Sequence, residues 1–178
     1  FRQKNGNPNR FQGNFRLSAT DAALTLEGPL SKNKKTTFLA SARRSYLQLL
    51  FKSFDIPIRP NYWDFQAKVT HQFNKKTTLT ILGIGAIDEF RFEAPKEATP
   101  EKLYTINSNV LVNQWNYTIG ASLKRNIPNG YWNLAVSRNY FNNDIEKHED
   151  NQNPTAANKT LDIVSAEAET KLRFDVNK

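Results

Sequence analysis

Apolar and polar positions alternate over most of this chain, with the period of two that sends successive side chains to opposite faces of a strand. Residues 62–73 show it clearly: Trp63, Phe65, Ala67, Val69 and Phe73 share one face, and Tyr62, Asp64, Gln66, Lys68, Thr70 and Gln72 the other. In 114–126, Trp115, Tyr117, Ile119, Ala121 and Leu123 oppose Asn116, Thr118, Gly120, Ser122 and Lys124. In 161–176, Ala166, Ala168, Leu172, Phe174 and Val176 oppose Glu167, Glu169, Lys171, Arg173 and Asp175. Runs at 11–20, 22–30, 37–49, 78–92 and 131–141 bring the set to about eight. The pattern predicts an all-β chain: an antiparallel up-and-down meander with one greasy wall and one charged wall. Two stretches are less regular. The segment TTLTILGIGAIDEF is apolar on both faces, as in a strand whose inner face also touches protein. Residues 45–54 fit either the end of the third strand or a short helix, since Leu47, Leu50, Phe51 and Phe54 have helical spacing.

The connections sort by length. SKNKKT, NKK and IPNG are short polar turns of the kind that join antiparallel neighbours. Long connections alternate with them, around KSFDIPIRPN, EAPKEATPEKLYTINSN and NNDIEKHEDNQNPTAANK. With every short turn at one end of the sheet, every long loop falls at the other, which is the asymmetry of an outer-membrane barrel. A soluble sandwich has no reason to sort its loops in this way. The apolar wall is therefore expected to face lipid, and the aromatics Tyr62, Trp63, Trp115, Tyr117, Tyr131, Trp132, Tyr140 and Phe141 are expected at strand ends, as in interfacial girdles.

Composition changes this picture little. The mean hydropathy of −0.67 is polar, but membrane strands alternate and leave little trace in an average. No run approaches the eighteen apolar residues of a spanning helix. Cysteine is absent, which excludes disulfides, thiolate nucleophiles and Cys-based zinc sites. Methionine is also absent, even at position 1, so the chain is expected to be processed or excised from a longer one. The net charge of +8 raises nucleic acid as a partner. The basic residues are dispersed without any nucleic-acid-binding motif, so no nucleic-acid partner is expected.

The stretch FQGNFRLSATDAALTLEGPLSKNKKTTFLASARRSYLQLLFK resembles the TonB-dependent outer-membrane receptors, particularly those of Bacteroidota-type bacteria. EGPLSKNKKTTFLASARRSY carries most of the likeness, and FRQKNGNPNRFQGNF is similar to the passage from the last plug strand into the first barrel strand. The resemblance implies the end of a plug at 1–9 and the first strands of a transmembrane β-barrel at 10–178. It implies a transport receptor in the bacterial outer membrane that takes up a nutrient ligand, with no reaction and no cofactor. The implied partners are the remainder of the barrel and the plug, TonB acting through that plug, outer-membrane lipid or lipopolysaccharide, and a surface lipoprotein. Such receptors have a plug, a TonB box and twenty-two strands, so this chain would carry only the start of the wall. Two other architectures remain open at this point: a soluble all-β carbohydrate-binding or adhesion module, and a complete small eight-stranded barrel.

Catalytic patterns are missing. There is no nucleophile elbow, P-loop or Ser-His-Asp order. Glu167 and Glu169 read as part of a mixed-charge ladder with Lys171, Arg173 and Asp175, pointing into a polar lumen and pairing with neighbouring strands or a plug. The candidate lumen- or plug-facing binding residues are Arg16, Asp64, Gln66, Lys68, Asn116, Lys124, Asn133, Glu167, Glu169, Lys171 and Arg173. Adjacent Arg43 and Arg44 are expected on opposite faces, one inward and one snorkelling at the lipid boundary. His71 is placed at an interface level and His148 in a solvated acidic loop, where oxygen donors are dense but EF-hand spacing is missing and no metal is expected.

Overall fold

A computed structural model describes residues 3–178. Eight strands run in chain order through a single antiparallel sheet: β1 (Gln12–Leu17), β2 (Asp21–Pro29), β3 (Thr36–Ser45), β4 (Ile58–Gln72), β5 (Thr77–Phe92), β6 (Leu111–Ile127), β7 (Gly130–His148) and β8 (Lys159–Asn177). β1 pairs with β2 and β8 with β7. The two outer strands do not pair with each other, so the sheet is open. The complete eight-stranded barrel, which requires that ladder, is not what this chain forms.

The turns follow from local chemistry. At the β6–β7 junction Pro128 presets its own φ, and Asn129 takes φ 63°, a combination suited to a type II turn. Gly130 then opens β7 against the carbonyl of Asn177, where a Cβ would come within 1.9 Å. This turn, residues 30–35 and residues 73–76 lie at one end of the sheet; residues 46–57, 93–110 and 149–158 lie at the other. Residues 18–20 break the expected alternation, being a short turn at the long-loop end. Ser18 closes it, with its Oγ accepting from the Asp21 amide at 3.0 Å.

Several boundaries differ from the sequence pattern. The third strand ends at Ser45, and α1 (Leu47–Ser53) follows it, so 45–54 is helical for most of its length. The connection 93–110 contains α2 (Pro100–Ser108), capped by Thr99 and started by Pro100. β7 continues to His148, well beyond residue 141, which leaves a shorter loop ending in a 3-10 turn at Ala156–Asn158. Tyr131 and Trp132 open β7 as expected, but the aromatics toward the long loops are inset from the strand ends. Trp63, Trp115 and Tyr140 lie within their strands, and beyond them the same face turns polar with Asn61, Glu89, Asn113, Asp144 and Glu146.

The sheet has almost no conventional core. Among the described residues only Leu39 and Ile106 are buried hydrophobics, whereas Phe15, Phe65, Ile81, Ile119, Leu172 and Phe174 are exposed. The accessible surface is 11958 Å², against about 8,800 Å² for a compact monomer of this mass. A soluble sandwich would have covered one face with a second layer; here both faces are open.

One segment does lie on the sheet. Residues 3–9 cross the polar face at the short-turn end, over β2, β3 and β4. Lys68 Nζ donates to the carbonyls of Gln3 (2.8 Å) and Lys4 (3.3 Å). Lys4 pairs with Glu27 at 2.7 Å, and Thr70 Oγ1 donates to Asn5 Oδ1 at 3.3 Å. Gly6 lies flat on β3, where a Cβ would come within 1.9 Å of the Phe38 carbonyl oxygen. Glu27, Thr37, Leu39, Lys68 and Thr70, close to this strap, are all buried.

Candidate functional site

Strand pairing fixes the faces, because directly opposed residues share one. The row Arg16, Ala23, Arg43, Asp64, Ala86, Asn116, Phe141 and Glu167 runs across all eight strands. Gln66 aligns through Ile84, Thr118 and Asn139 with Glu169, and Lys68 through Leu82, Gly120 and Ser137 with Lys171. Arg173 opposes Ala135, and Lys124, Asn133 and Asp175 form a further row. All eleven candidate residues therefore share one face.

That face holds three separate settings. In the first, Arg16, Asp64, Gln66 and Asn116 line a cleft of about 550 Å³ together with Asn14 and Arg43. Arg43 donates to Asp64 from Nε at 2.6 Å, while its guanidinium lies 5.2 Å from the Tyr62 ring centroid. Arg16 reaches Asp21 at 3.3 Å. Arg43 and Asp64 thus neutralise each other, and the amides and hydroxyls of Asn14, Thr25, Ser41, Gln66 and Asn116 can donate and accept hydrogen bonds beside Arg16, with Ala23, Ile84 and Ala86 as the apolar part of the lining. In the second, Lys124, Asn133 and Arg173 meet near the short-turn end. Lys124 Nζ lies 4.0 Å from the Tyr131 ring centroid, and Ser122 Oγ donates to Asn133 Oδ1 at 2.6 Å. In the third, Lys68 is buried under the strap and belongs to neither cleft.

The β8 ladder differs from its expected form. Lys171 pairs with Glu169 at 2.8 Å and Arg173 with Asp175 at 2.8 Å, each within the strand rather than across it. Glu167, Glu169, Lys171 and Arg173 are exposed, and Asp175, the last member of the predicted ladder, is half-buried. Ile84, on the doubly apolar fifth strand, is 46% exposed on the polar face.

The opposite face is apolar from the Trp132 row to the Trp63 and Trp115 row. Trp115, Tyr117 and Tyr140 stack at 5.0 to 6.2 Å. Arg44 lies on this face with its guanidinium 4.8 Å from the Trp63 ring centroid, so Arg43 and Arg44 do part to opposite sides. His71, near the short-turn end of β4, is 2.8 Å from Thr36 Oγ1. Arg138 interrupts the apolar field and donates to Thr170 Oγ1 at 2.9 Å.

Sequence reasoning missed the loop layer above both faces. Asp55, at φ 53°, accepts from the Lys96 amide at 2.7 Å and from the ammonium of Lys102. These bonds hold its carboxyl down to about 2, the Lys102 bond contributing most. Glu93 bridges Arg59 (2.6 Å) and Lys52 (3.0 Å), and both partners lower its pKa, Arg59 the more. Asn151 Nδ2 donates to the carbonyls of Ile106 (2.7 Å) and Asn109 (2.9 Å). His148 is buried rather than solvated. Its Nδ1 lies 3.1 Å from the Thr155 carbonyl and 3.0 Å from Asn158 Oδ1. The three long connections are thereby tied to one another in sequence. Near His148, the carboxylates of Asp144, Glu146 and Asp162 converge within 4.8 Å. The ammonium of Lys159 already sits among them, 2.5 Å from Glu146 and 3.1 Å from Asp162.

The only one of these loop features with a readable signal was α2, through Thr99, Pro100 and Glu101, an N-cap followed by proline at the first helical position. No family model matches the chain, and no curated protein or solved structure matches it either.

Proposed function

We propose that this chain is the first part of a transmembrane β-barrel wall in a TonB-dependent transport receptor of the bacterial outer membrane. The observation that carries the reading is the apolar face. A field of exposed Phe, Leu, Ile and Val, interrupted by Arg138, lies between the row of Trp63 and Trp115 and the row of Trp132, on an open sheet whose other face is polar. From Trp115 to Arg125 the strand spans about 25 Å along the membrane normal at a rise of roughly 3.3 Å per residue and a tilt of about 40°, close to the apolar band of outer-membrane barrels. Water would have to solvate this field in a soluble module, and few monomers carry so large an apolar patch. The unpaired edges of β1 and β8 support further strands on both sides, because lipid cannot satisfy free backbone groups.

On this reading the polar face lines the lumen, the loop layer is extracellular and the short turns are periplasmic. The chain carries no reaction. It supplies wall and ligand contacts, and energy arrives through a plug upstream. The strap at 3–9, running onto the lumen face, fits the passage from that plug.

An arginine pair tests the assignment in the full-length protein refolded in lipid vesicles. Ile81→Arg, in the middle of the apolar field, is expected to destabilise by roughly 2–4 kcal/mol, and Thr80→Arg, on the polar face, by far less. Equal tolerance at both positions would contradict the lipid-facing wall.

A further inference from the structure

Arg44 is anomalous on the apolar face. Its neighbour Arg43 takes the Asp64 carboxylate on the other side of the sheet, while among the described residues Arg44 makes no ion pair. Its guanidinium rests on Trp63 instead, and Trp63 stacks on Phe65 with ring centroids 5.8 Å apart and planes 6° from parallel. Guanidinium, indole and phenyl therefore form a column descending from the long-loop end of the apolar field. A cation on an indole face keeps its in-plane N–H groups directed outward, available to an anion.

Phe65, at the foot of the column, is also a wall of a groove. Leu24 and Tyr117 flank the groove, Ala40, Ala42 and Gly83 line it where side chains are smallest, and its volume is about 590 Å³. The bare position at Gly83 is open: a Cβ there would meet nothing within 4 Å. The groove surface is almost wholly apolar and offers a polar ligand little to bond to. A molecule satisfying both ends needs an anionic head with hydrogen-bond acceptors and, directly attached, a flexible hydrocarbon chain.

We propose that this column and groove form a lipid-binding site. The phosphate of an anionic lipid is held by Arg44 beside Trp63, and one acyl chain lies in the groove past Phe65 and Gly83. The proposal rests on the lipid-facing reading of this surface and adds a head-group preference and a seat. Charge complementarity selects the lipid class, because phosphate accepts two parallel hydrogen bonds from a guanidinium. A zwitterionic lipid offers the same phosphate with a neighbouring cation that Arg44 repels.

The test uses the full-length protein with Trp63 as sole tryptophan, in phosphatidylcholine vesicles doped with either phosphatidylglycerol or phosphatidylcholine brominated on one acyl chain. Bromine quenches indole on contact. Half-maximal quenching is expected at a several-fold lower mole fraction of the brominated phosphatidylglycerol. Arg44→Gln should remove that preference and Arg44→Lys should keep part of it. Gly83→Leu, which fills the groove in open space, should raise the half-quenching fraction for phosphatidylglycerol while leaving the fold intact by circular dichroism. Equal half-quenching fractions for the two lipids in the unaltered protein would overturn the proposal and leave the lipid-facing wall standing. Absence of quenching by either lipid would remove both.

Discussion

Lys68 on β4 and Lys171 on β8 occupy the same row of the same face, and each comes from a strand whose polar positions carry charge. Their surroundings have little in common. Lys68 is 9% exposed, roofed by the strap and bonded to two of its carbonyls. Lys171 stands in the open and pairs with Glu169 along its own strand, both side chains more than half exposed. Lys68 thus fixes the position of a separate chain segment. Lys171 takes part in a surface pair of the kind worth about 0–1 kcal/mol. Alternation places both residues, and what covers them decides their role.

Three experiments bear on this contrast. The largest effect is expected from Gly6→Val. No side chain fits against the Phe38 carbonyl, so the strap must lift and expose Glu27 and Lys68 together. The charge-assisted bonds lost suggest roughly 2–4 kcal/mol. Denaturant unfolding measures the loss, and full stability in the variant would mean that the strap is not anchored where Gly6 lies. A smaller difference separates two identical chemical changes. Lys68→Met is expected to cost about 1–3 kcal/mol and Lys171→Met less than about 0.5 kcal/mol. Similar costs would erase the distinction between covered and open rows. The smallest effect concerns the loops, where Asp55 shows that a carboxylate can be well bonded without belonging to either kind of row. Its pKa is lowered from 3.8 to about 2, so the folded form favours the charged state. The contribution is present above about pH 4 and is lost as pH falls through about 2. The Lys96 amide nitrogen shift in NMR should follow that lower midpoint, and a midpoint near 3.8 would show that the Asp55 bridge is not made.

Alternation made the wall legible. It assigned Gln66, Asn116, Lys124 and Arg173 to one face before any pairing was known, because register in a meander preserves parity across every strand. It failed where both faces are polar. Asn142 to Lys147 has almost no apolar period, so β7 could not be followed above its aromatics, although its backbone pairs with β8 through that stretch. The strap was illegible for a different reason. QKNGNPN has the composition of a loop, and its partners Lys68 and Thr70 lie 65 residues away, a separation that no local pattern encodes. His148 reads as solvated among Glu146, Glu149 and Asp150 because its actual neighbours, Thr155 and Asn158, arrive only when the loop folds back.

The ties among the long connections have a consequence for protein engineering. Asp55 holds the segment around Lys96, and Asn151 holds the end of α2 through Ile106 and Asn109. A transplant of 93–110 alone would therefore disturb the donors to a carboxylate on one side and the acceptors of an amide on the other. Exchanging the surface of this molecule for another specificity calls for moving 46–57, 93–110 and 149–158 as one cassette, with the strands beneath them serving as an unchanged chassis.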